Sequence, residues 1–133
     1  MATVIRGSIW FGLYLFLALL PLGTAIAVTP NRTDPPLLLG LAIGAGFVGL
    51  SLMALEFTLI SRVTPAAGAF GEDALQQFHN SMGVVALSFI LAHPILMIIY
   101  GYPAGCWLNP FSGCANTATI AASLALYGLL ILI

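Results

Sequence analysis

The chain has 133 residues, of which 61% are hydrophobic and 5% charged, with a formal net charge of −1. Soluble domains carry about a quarter charged residues, so this composition excludes a water-soluble globule and makes the lipid bilayer the solvent of the fold. There is no lysine and there are only three arginines; without clustered cations to neutralise phosphates, nucleic acid is excluded as a partner.

The first apolar run covers residues 8–28, about 21 residues, which suits a hydrocarbon core of about 30 Å. Arg6, the apolar stretch from Ile9 to Leu20 and the small-residue site Ala25-Ile26-Ala27 also have the layout of a secretory signal peptide, and a retained span and a cleaved signal both stand at this point. Trp10, Tyr14 and Pro21 read as an interfacial anchor, a packing residue and a kink. A first loop follows over residues 29–36, where Pro30, Asn31, Arg32, Asp34, Pro35 and Pro36 break the helix.

The second predicted span covers residues 37–60. Gly40 and Gly44 form a GxxxG, followed by Gly46 and Gly49. One side of this helix is therefore cut back to backbone, which serves either close helix packing or the approach of a flat macrocycle. Glu56 lies about one turn from the end of the span, where it can snorkel to water or meet a partner. A structural or interfacial carboxylate is the expected role, with a proton relay as the alternative.

Residues 61–73 form a second loop containing Pro65 and Gly71. Asp73 and Gln76 have the spacing of a capping box, which predicts the start of the third helix. That third span, residues 74–100, holds both histidines of the chain, His79 and His93. Ionisable side chains inside a span are expensive and mark cavities, partners or cofactors. The two are fourteen residues apart, which on a helix places them within about 40° of each other and about 21 Å apart along the axis. Nitrogen ligands bind a first-row metal at about 2 Å, so this pair cannot share one ion. Two separate haems, one per histidine and stacked across the membrane, fit the spacing. Gly83 follows His79 by one turn on the same side, where the missing Cβ permits close approach of a ring or a helix. Each histidine could also simply hydrogen-bond across a helix interface.

The third loop, residues 101–116, carries Cys106 and Cys114. They could close a disulfide if that side of the membrane is oxidising, or remain free thiols. The fourth apolar run, residues 117–133, is shorter and lacks a polar anchor, so it reads as a truncated span and the chain as the leading part of a longer protein. The expected fold is therefore an all-α polytopic helical bundle of four spans. By the positive-inside rule, Arg6 and Arg62 outvote Arg32 and place the N-terminus in the cytoplasm.

Ser61-Arg62, Phe70-Gly71-Glu72-Asp73-Ala74-Leu75, Phe78-His79, Gly83 and Ala92-His93-Pro94 give the chain a further meaning. In these residues it resembles the ferric reductase-like transmembrane domain, the family of ferric reductases and NADPH oxidases, and especially its bacterial members. The likeness is carried by residues 50–100 and extends to the flanking spans by hydrophobic layout. It implies that His79 and His93 are axial ligands of two haem b groups. The second axial pair belongs to a later span in that family, and no further histidine occurs here. The missing ligands are expected from sequence beyond Ile133 or from another chain. The family layout also agrees with the orientation, placing His79 near the cytoplasmic face and His93 and the Cys106 loop toward the outside of a bacterial inner membrane.

The resemblance implies electron transfer from NAD(P)H through FAD on a reductase domain or subunit, by way of the haems, to an outer acceptor. The chain has neither the length nor a glycine-rich fingerprint for that flavin and nicotinamide module, so enzyme activity belongs to a full assembly. Two other readings remain. One is a cofactor-free multi-pass scaffold or channel subunit, and the other is a haem subunit of a different membrane oxidoreductase.

Overall fold

The computed structural model describes residues 2–28, 36–60, 71–113 and 116–132. The described elements are all helical: α1 (Ala2–Val28), α2 (Leu37–Ile60), α3 (Glu72–Tyr100), a short α4 (Ala104–Leu108) and α5 (Thr117–Leu132). Arg32, Arg62, Phe70 and Cys114, together with most of the first loop and most of the second, lie outside the described residues. Three helices are long and apolar enough to cross a membrane, over Ile5–Val28, Leu37–Leu59 and Glu72–Tyr100, and α5 is a shorter apolar helix. The all-α membrane architecture thus stands as expected from composition.

Three boundaries differ from the sequence reading. The first helix begins at Ala2 instead of residue 8, because residues 2–8 contain no proline and the helix runs on through Gly7. The third begins at Glu72. Its N-cap is Gly71 at φ 84°, with no side-chain cap, so Asp73 does not close a capping box. Gln76 instead donates to Asn80 Oδ1 at 3.2 Å. Glu72 and Asp73 occupy the first turn, where negative charge meets the positive end of the helix dipole. The third difference is α4, a single turn inside what was expected to be an irregular loop.

The ends of α3 and α5 are locally specified. Gly101 closes α3 in the left-handed region at φ 118°, and the Tyr102 amide donates to the Met97 carbonyl at 3.1 Å. Glycine alone takes this conformation without steric cost. At the start of α5, Asn116 Oδ1 accepts the Thr119 amide at 2.9 Å while Thr119 Oγ1 accepts the Asn116 amide at 2.8 Å. Within the spans, hydroxyls return their protons to the preceding turn, as Ser51 to Phe47, Ser81 to Gln77 and Ser88 to Val84. Lipid offers no other acceptor.

Helix α2 is the centre of the assembly, packing along α3 and against α1. The α2–α3 seam is made of small residues: Ala42, Ala45 and Ala86 are buried. A Cβ at Gly49 would stand 3.0 Å from the Ile90 amide nitrogen, so the two backbones touch there. Such contact is how membrane helices associate without a hydrophobic driving force. Tyr14 and Ala18 of α1, Leu52 of α2 and Ala86 of α3 form the shared core, with Phe78 and Met82 packed against it. Gly44, by contrast, has no atom within 4 Å of its Cβ position. The glycines that admit α3 are Gly46 and Gly49, not the GxxxG partner Gly44. Helix α5 packs on α4, and the Tyr127 hydroxyl donates to the Leu108 carbonyl.

Candidate functional site

Helix α3 has 29 residues, about 43 Å at helical rise, so its ends reach past a hydrocarbon core of about 30 Å. His79 stands seven residues after Glu72 and His93 seven before Tyr100. Each imidazole therefore lies toward one face of the bilayer, at the same depth from its own end of the helix.

The antiparallel α2 answers this spacing. His93 Nδ1 lies 2.7 Å from the carbonyl oxygen of Ala42, and His79 Nδ1 pairs with Oε2 of Glu56. Ala42 and Glu56 are themselves fourteen residues apart. The two helices run against each other in register, and each histidine meets its partner four turns from the other. Gly46 completes the His93 seat, since a Cβ there would be 2.8 Å from Nδ1 and 3.1 Å from Cε1 of the ring.

Glu56 is 4% exposed, so it does not snorkel; it takes the partner that the sequence left open. Its other oxygen, Oε1, accepts a hydrogen bond from the Tyr14 hydroxyl at 3.0 Å. Tyr14 also meets Phe78 edge to face, with ring centroids 5.1 Å apart. Three spanning helices thus converge on His79: Tyr14 from α1, Glu56 from α2 and the histidine with its neighbour Phe78 from α3. The His79 side chain itself remains 25% exposed, and among the described residues no neighbouring atom lies within 4 Å of a Cβ on Gly83.

These contacts fix the tautomers. A carbonyl and a carboxylate are acceptors only, so both Nδ1 atoms are donors and the lone pair of each neutral ring falls on Nε2. A metal-ligating histidine shows this arrangement, with one nitrogen anchored by the protein and the other presented to the metal. Among the described residues no group of three or more His, Cys, Asp or Glu side chains could hold a metal ion. One imidazole per site suits a metal that brings its own ligand frame, as iron does in a porphyrin.

The sequence singled out His79, His93 and Gly83 and named Glu56 as a carboxylate in search of a partner. From the sequence, Tyr14 reads as a packing residue only and Gly46 as one of the glycines that cut α2 back to backbone, while Ala42 carries no signal of its own. The fourteen-residue interval shared by Ala42 and Glu56 was the signal that could have found them. Cys106 is buried in α4, and its proposed partner Cys114 lies outside the described residues.

The three long apolar helices define an integral membrane protein. Residues 45–133 match the family described as ferric reductase like transmembrane component. This covers about two-thirds of the chain, which belongs to that family. It matches no curated protein and no solved structure.

Proposed function

We propose that the chain is a transmembrane haem b protein that carries electrons from a cytoplasmic reductase module, using NAD(P)H and FAD, to an extracytoplasmic acceptor. The observation that carries this reading is the pair of histidines on α3, fourteen residues apart, each with Nδ1 held by α2. His79 and His93 would be the axial ligands through Nε2, one to each of two haems. Membership of the family supports it. Haem iron with imidazole on both axial positions supplies one-electron chemistry with little rearrangement and no open site for oxygen.

The residues of the chain have separate tasks in this scheme. Glu56 and Ala42 orient the imidazoles, Gly46 makes room for the His93 ring, and Gly83 keeps the surface beside His79 low enough for a flat group. The small residues of the α2–α3 seam hold the two rings in register. Any further ligand of either haem would have to come from outside the two histidines of this chain. Orientation follows the arginines and the family layout: the N-terminus and His79 lie toward the cytoplasm, and His93 and the Cys106 loop toward the outside of a bacterial inner membrane. An electron moving outward is driven by an inside-negative potential, downhill by about 2.3 kcal/mol per 100 mV.

The absorption spectrum of the protein purified from haem-replete cells tests this. A reducible b-type spectrum is the expected result. A colourless preparation would leave the histidines as cross-helix hydrogen-bonding groups in a scaffold.

A further inference from the structure

The two imidazoles are anchored alike in geometry and unalike in charge. His93 Nδ1 donates to a neutral acceptor, the Ala42 carbonyl. His79 Nδ1 donates to a carboxylate, Glu56, which is 4% exposed. Among the described acidic residues, Glu72 and Asp73 lie in the first turn of α3 and Glu56 alone lies in the body of a spanning helix. A carboxylate is costly there. Simple helix packing would be served as well by an apolar residue, and orientation of His79 by a carbonyl, as α2 already does for His93. What the carboxylate adds is charge.

A hydrogen bond to a charged acceptor is roughly twice as strong as one to a neutral acceptor. It draws the Nδ1 proton further from the ring and leaves Nε2 richer in electrons, which raises the basicity of the ligand. A more basic axial ligand favours ferric over ferrous iron and lowers the reduction potential. Tyr14 works in the opposite sense. By donating to Glu56 Oε1 at 3.0 Å, its hydroxyl draws charge away from the oxygen that holds His79.

We propose that Glu56, tempered by Tyr14, is a positioning residue that makes His79 the stronger donor to its iron, so that the centre at His79 has a lower reduction potential than the centre at His93. The inference rests on the haem reading above. It gives the two centres an order in which an electron runs downhill from the His79 side of the membrane to the His93 side.

Redox titration of the b-type absorption, in membranes containing the protein with its partners, reads both potentials. The His79 centre is identified as the one lost in His79→Ala. Glu56→Gln keeps an acceptor oxygen and removes the charge. It should raise the potential of the His79 centre by at least a tenfold change in the ferric-to-ferrous equilibrium, which for one electron is about 59 mV, and leave the His93 centre unchanged. Tyr14→Phe, which keeps the ring, should move the His79 centre the other way. Opposite signs are the signature of tuning, because mere loosening of the fold would shift both variants in one direction. If Glu56→Gln fails to assemble, the downward shift in Tyr14→Phe decides alone. Bound haem with an unmoved His79 potential in the variant measured, or equal shifts at both centres, would overturn the inference. Absence of haem from the unaltered protein would instead overturn the function it rests on.

Discussion

The Glu56 carboxylate lies across the α2–α3 seam from His79 and holds its Nδ1 nitrogen, while Tyr14 of α1 holds the other carboxylate oxygen. This ties all three spanning helices to one imidazole. It also turns the ring so that the electron pair of Nε2 is the one available for coordination.

If His79 and His93 serve different haems, each can be lost without the other. Replacing either with Ala in the complete protein should remove one haem and leave the second with its spectrum intact. Haem stoichiometry by extraction and the low-temperature absorption bands check this. Both haems retained in either variant would refute the assignment.

Gly46 should not tolerate Ala. The added Cβ would stand 2.8 Å from His93 Nδ1, too close for any real contact, so the ring must move and give up its bond to the Ala42 carbonyl. Overpacking of this kind costs about 1–3 kcal/mol. Thermal unfolding in detergent should show the loss, and the spectrum should change at the His93 centre while the His79 centre keeps its own.

Gly83 offers a contrast, because a Cβ there meets no neighbouring atom within 4 Å among the described residues. Gly83→Leu should leave the helix bundle as stable as before and yet expel or perturb the haem at His79. Unaltered haem content and spectrum in that variant would reduce Gly83 to an ordinary helix position.

Cys106 and Cys114 are expected to be bonded to each other on the extracytoplasmic side. Intact mass before and after reduction reads the bond, and a membrane-impermeant thiol reagent applied after reduction reads the side. Two labelled thiols without reduction would refute the bond, and labelling only from the cytoplasm would refute the orientation.

Much of the architecture was legible in the sequence because a bilayer leaves few choices. Backbone polar groups must be satisfied within the segment, so an apolar run of about 20 residues between breakers becomes a helix. The runs at 37–60 and 117–133 emerge with little change as α2 and α5. The histidine pair was legible for a related reason. An ionisable group in such a run is conspicuous, and helical geometry converts a sequence interval directly into an angle and a depth. Local rules were weaker guides at the ends: Asp73 had the spacing of a cap, but Gly71 takes that place at φ 84°.

What the sequence by itself determined, then, was the class of fold, the two imidazoles on one face of one helix, and their separation. Only the tertiary structure decided what each imidazole touches. No periodicity within α3 can say that α2 runs antiparallel in the register that sets Ala42 against His93 and Glu56 against His79, since register is a property of two helices packed together. It is fixed by where the helices can meet, the His93 ring against Gly46 and the α3 backbone against Gly49, and small residues mark such places without naming the partner. The burial of Glu56 follows from the same contact. A carboxylate one turn from a helix end is free to reach water until a tyrosine from one neighbour and a histidine from another close over it.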